Sequence, residues 1–160
     1  MKIVYETNTG SCERYAKMLS EKMGLEAVSL SSTCEGDADE VVFIGWIMAG
    51  TIQGLETARK NFASIKAICA VGMMPPESQL EKLKEKNSVT EQIFALPGAF
   101  DMKKLSGMYK MMMGMMMRML KSQFKDSENE KEREAYALFE KGFDAVKEEN
   151  LNEVLKFLEK

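Results

Sequence analysis

Residues Glu6-Thr7-Asn8-Thr9-Gly10-Ser11-Cys12-Glu13-Arg14 gather hydroxyl and amide side chains around one glycine, where a short apolar run gives way to a helical pattern. A loop of this kind places the first N–H groups of the helix at the positive end of its dipole, and Thr7, Thr9 and Ser11 add O–H donors. Together these donors suit a phosphate monoester, and the site needs no lysine. The same residue types also make an ordinary N-cap turn. Position and order, directly after a first strand, favour the phosphate. Neither GxGxxG nor GxxxxGK[ST] occurs, so NAD and ATP lack their usual grips.

The chain contains no histidine, which removes the usual general base and the commonest metal ligand. This favours chemistry supplied by a bound cofactor. Cys12, Cys34 and Cys69 are an odd number without CxxC spacing, against both a disulfide scaffold and a structural zinc site. With 22 basic and 25 acidic residues the formal charge is −3, which gives no general basic field for nucleic acid. The start, Met1-Lys2-Ile3-Val4-Tyr5, lacks the apolar core of a signal peptide, so a cytoplasmic location is expected.

At 160 residues the chain is expected to form one domain, a sheet covered by helices on both faces. Lys2-Ile3-Val4-Tyr5 reads as a strand, followed by a helix over 13–23 that stops at Gly24. Further strands are predicted over 26–30, 41–45, 66–71 and 92–96, with helices over 54–62 and 77–86 between them. This alternation of strand and helix implies right-handed crossovers and a parallel, doubly wound α/β sheet with ligands at the carboxyl ends of its strands. From about residue 101 the pattern turns helical: a Met-rich helix over about 101–124, then, within about 130–159, a helix over 132–147 and a separate short terminal helix with Leu151, Val154, Leu155 and Leu158. Ser127 with Glu130, and Asn150 with Glu153, have capping-box spacing, and Tyr136, Phe139, Phe143 and Val146 make one apolar face expected to dock on the sheet.

The sequence resembles the flavodoxins, in which a first strand is followed by a [ST]-x-T-G-x-[ST] loop around the FMN phosphate. The match is Thr7-Asn8-Thr9-Gly10-Ser11-Cys12, with Cys12 where the family usually has a hydroxyl residue. The resemblance implies a flavodoxin-like, five-stranded parallel sheet of order 2-1-3-4-5 and bound FMN, and Cys12 would cost one phosphate donor. It also implies that the stretch after the third strand, Trp46-Ile47-Met48-Ala49-Gly50-Thr51, lies against the isoalloxazine ring. Gly50 would let a backbone N–H approach the ring edge, while Trp46 either stacks on the flavin or is a core aromatic. Met73 and Met74, after the fourth strand, would provide a third contact. Leu96-Pro97-Gly98-Ala99-Phe100, with Leu105, Tyr109 and the Met-rich helix, resembles the menaquinone-dependent protoporphyrinogen oxidase branch, although that branch's His-containing middle loop is missing.

Eight of the 15 methionines fall between Met108 and Met119. On a helical projection Leu105, Met108, Met112, Met115, Met116 and Met119 make one face, expected to meet the sheet, with Met113 and Met117 beside it. The same methionines suit an adaptable apolar surface for an anionic membrane, or a homodimer contact. FMN-dependent electron transfer or oxidoreduction, with a redox protein or a small quinone-type acceptor as partner, is the function expected. A flavin-free interaction module on the same scaffold is the alternative.

Overall fold

The computed structural model describes residues 1–36, 38–73, 80–125 and 128–160. By its own contacts the chain divides into two compact units, residues 1–98 with 146–160, and residues 99–145.

The first unit is built on β1 (Lys2–Glu6), β2 (Ala27–Ser29), β3 (Glu40–Met48), a two-residue β4 (Thr51–Ile52), β5 (Ser64–Gly72) and β6 (Gln92–Pro97). The main strands are parallel and run β2-β1-β3-β5-β6, and β4 pairs only with β3, antiparallel. With the short β4 set aside, this is the expected flavodoxin-like order. The run Val41–Gly45 is buried throughout, as helices on both faces require. Helix α1 (Ser11–Met23) buries Cys12, Tyr15, Ala16 and Leu19, a stripe at helical spacing, and Gly24 ends it at φ 66 with its N–H on the Ser20 carbonyl. Burying a side chain such as Leu19 contributes about 2 kcal/mol. Helices α2 (Leu55–Asn61) and α3 (Leu80–Lys86) cover the other core, around Val4, Phe43, Ile52, Leu55 and Ile68. Residues 77–79 of the predicted third helix lie outside the described residues.

The C-terminal segment completes this unit. Asn150 and Glu153 do not form a capping box: Leu151 precedes the terminal helix Asn152–Leu158 and makes no side-chain cap. The Asn150 amide instead donates to the Tyr15 hydroxyl at 2.7 Å, which itself donates to the Pro97 carbonyl at 2.6 Å. Tying a buried phenol took precedence over capping a seven-residue helix.

In the second unit, α4 (Gly107–Phe124) packs against α5 (Glu130–Lys141), and β7 (Ala99–Phe100) pairs with β8 (Phe143–Asp144). The last helix, Asn152–Leu158, is α6. Helix α5 ends six residues before the expected Lys147, because Gly142 at φ 82 turns the chain into β8. A Cβ at Gly142 would stand 2.8 Å from the Phe100 carbonyl oxygen. Phe143 therefore meets Phe100 and Phe139 as an aromatic triangle with centroids 5.8–6.2 Å apart. The α5 cap is Asn129, whose side chain accepts from the Lys131 N–H at 3.1 Å; Ser127, the predicted cap, lies outside the described residues.

Most of the face of α4 expected to lie inward is exposed; of its residues, Met116 is half-buried, as is Leu105 just before the helix. Met108, Met112, Met115 and Met119, expected to face inward, are exposed, whereas Met113 and Met117 are half-buried with Tyr109, Met116, Leu120 and Phe124. Methionine on nearly every side leaves the helix no apolar phase, so the two aromatic residues and Leu120 mark the inward side.

Candidate functional site

Because β1, β3 and β5 are parallel neighbours, their carboxyl ends leave the sheet along one edge. Three predicted stretches meet there: residues 7–12 after β1, residues 46–51 at the end of β3, and Met73 after β5. Met74, the last predicted contact, lies outside the described residues.

The β1–α1 loop is held by its own residues. The Gly10 N–H donates to the Thr7 hydroxyl oxygen at 3.1 Å, and Gly10 takes φ 93, a left-handed conformation that favours glycine. A Cβ added at Gly10 would find no atom within 4 Å, so the loop opens onto space. The first ladder bond of α1 runs from the Arg14 N–H to the Gly10 carbonyl at 3.1 Å. The N–H groups of residues 11–13 precede it, at the positive end of a 13-residue helix. Thr9 is half-buried and Asn8 exposed, whereas Ser11 and Cys12 are buried.

Cys12 differs from the sequence picture in its surroundings. It is 1% exposed, and its thiol is pushed well above its ordinary pKa by burial, with Cys69 and Glu6 adding to the effect. Burial likewise pushes the Cys69 thiol up, to about 12. Both thiols therefore stay protonated at neutral pH, and neither is a thiolate nucleophile.

The expected loop after β3 is a hairpin arm instead. β3 continues through Trp46, Ile47 and Met48, turns at Ala49-Gly50, and returns as β4, pairing Ile47 with Ile52 and Met48 with Thr51. Ala49 and Gly50 both have positive φ, 49° and 78°, the backbone of a two-residue type I′ turn. Ile47 packs with the core that holds Phe43 and Ile52, so the pleat sends Trp46 and Met48 to the opposite face. Trp46 is half-buried and pairs in register with Val71.

Polar residues that the sequence did not single out hold this hairpin. Asn87 is 8% exposed; its side chain accepts from the Ile52 N–H at 2.8 Å and donates to the carbonyls of Gly50 at 2.9 Å and Leu83 at 2.7 Å. Lys86 donates to the Ala49 carbonyl. Arg59 then holds the Asn87 and Ser88 carbonyls at 2.9 and 3.0 Å and reaches the Glu91 carboxylate at 3.1 Å. Burial opposes ionisation of Glu91, but bonds from Arg59 and from nearby backbone N–H groups outweigh it and hold the carboxyl below its ordinary pKa. An asparagine followed by serine at a helix end resembles many C-terminal turns, and only the partners 35 residues away give it a role.

A sequence model of the flavodoxin domain matches residues 2–127. The chain belongs to the flavodoxin domain family. No curated protein and no solved structure matches it significantly. The donors fit the cofactor usual in this family: an open glycine cradle at a helix start, hydroxyls at Thr9 and Ser11, and no cationic side chain within residues 6–13. Among the described residues no helix is long and apolar enough to cross a membrane, and no group of three or more His, Cys, Asp or Glu could hold a metal.

Proposed function

We propose that this flavodoxin-family chain binds FMN, with its phosphate on residues 7–12, and serves electron transfer. Bound FMN would supply one- and two-electron redox chemistry. The observation that carries the proposal is the open Gly10 cradle at the start of α1, where N–H dipoles would meet phosphate charge without a basic side chain. FMN is favoured over FAD because the loop accommodates a terminal phosphate and the sequence has no dinucleotide fingerprint. Trp46, Met48 and the Ala49-Gly50 turn, with Met73, would border the ring and exclude water from it. No side chain is assigned a catalytic role. The partner is a redox protein or a small quinone-type acceptor. The narrower protoporphyrinogen oxidase-like reading rests only on the resemblance of Leu96–Phe100, Leu105, Tyr109 and the Met-rich helix to that branch.

Thr9→Ala and Ser11→Ala should each weaken FMN binding by about 1–2 kcal/mol, the scale of a lost hydrogen bond to a charged group. Flavin fluorescence titration measures it. Two variants that stay folded and bind FMN as the parent does would place the phosphate elsewhere, and a parent that takes up no FMN would leave the flavin-free interaction module.

A further inference from the structure

Helix α4 carries a second apolar side that its own unit leaves in water. Met108, Met111, Met112, Met115 and Met119 are each 47–68% exposed. At 100° per residue they fall in an arc about 100° wide. The half-buried row of Tyr109, Met113, Met116, Met117, Leu120 and Phe124 lies on another side, so the exposed arc is surplus to the helix's packing.

Charge selects the occupant. Residues 102–125 carry Lys103, Lys104, Lys110, Arg118, Lys121 and Lys125 and no acidic residue, although the whole chain has a net charge of −3. On the same projection Lys110, Arg118, Lys121 and Lys125 fill a sector along one flank of the exposed arc. Long cationic side chains can reach lipid phosphates while the thioethers enter the acyl boundary, and a helix of 18 residues spans about 27 Å in the membrane plane. A second copy of the chain would bring six like charges against six, which disfavours self-pairing through this side. A soft metal ion on the thioethers would meet the same repulsion. We propose that the exposed methionine arc of α4 docks peripherally on an anionic lipid surface. The proposal does not rest on the flavin.

The test is sedimentation of the full chain with vesicles of phosphatidylcholine alone or with phosphatidylglycerol added. The parent should partition onto the anionic vesicles and not the neutral ones, and raised salt should weaken it. Met111→Glu with Met115→Glu should lower the partition by about tenfold or more, and Lys110→Glu with Lys121→Glu should do the same while leaving the arc apolar. Circular dichroism reports folding; if the methionine pair unfolds, the lysine pair decides. No partition of the parent, equal partition onto neutral vesicles, undiminished partition of the folded variants, or self-association without vesicle binding would each overturn the proposal.

Discussion

Asn87→Leu should destabilise the fold by about 2–4 kcal/mol, one of the two largest effects anticipated for a single substitution. The change removes the acceptor of the Ile52 N–H and the donor to the Gly50 carbonyl, and Ile52 is 2% exposed. An orphaned buried group costs about 1–3 kcal/mol, and leucine offers nothing in return. The same side chain steadies a turn in which Ala49 sits at φ 49, where a residue with a Cβ is strained. The midpoint of urea unfolding measures the loss. A change below about 1 kcal/mol would mean that the hairpin stands without its clamp.

Gly54→Ala should cost about 2–5 kcal/mol, for two additive reasons. Gly54 has φ 82, and a Cβ there would lie 2.8 Å from both the Glu6 Cβ and the Leu30 Cδ2. Left-handed strain contributes about 1–2 kcal/mol and forced overpacking about 1–3. Glu6 directly precedes the loop of residues 7–12, so any relief by moving Glu6 would disturb the proposed phosphate cradle as well. Gly10→Ala is the informative contrast. It has a similar φ of 93 but open space at the Cβ, so only the strain should register in stability. Equal losses at the two positions would contradict the close approach at Gly54.

The sheet was legible because its signals are local and periodic: a continuous apolar run at Val41–Gly45, a helical stripe with Tyr15, Ala16 and Leu19, and Gly24 as a stop. Where the sequence misled, a distant partner overrode a local signal. Asn150 satisfies Tyr15 rather than a helix, and Gly142 bends the chain so that Phe143 can pair with Phe100. The methionines of α4 carried no phase at all, and the inward side followed the aromatics. Of the candidate site, the loop of residues 7–12 with its glycine at the start of α1 was readable from residue types in order. The hairpin at 49–50 and its clamp at Asn87 were not, because their bonds join residues 35 and 37 apart.

The central claim is that residues 7–12 form a phosphate site for FMN. Its most direct test is to titrate the flavin-free chain with FMN and, in parallel, with riboflavin, which has the same ring and no phosphate. Quenching of flavin fluorescence should report saturable FMN binding, with riboflavin weaker by about 100-fold, the equivalent of about 3 kcal/mol from charge-assisted phosphate contacts. Equal affinity for the two flavins, or uptake of neither, would contradict the claim.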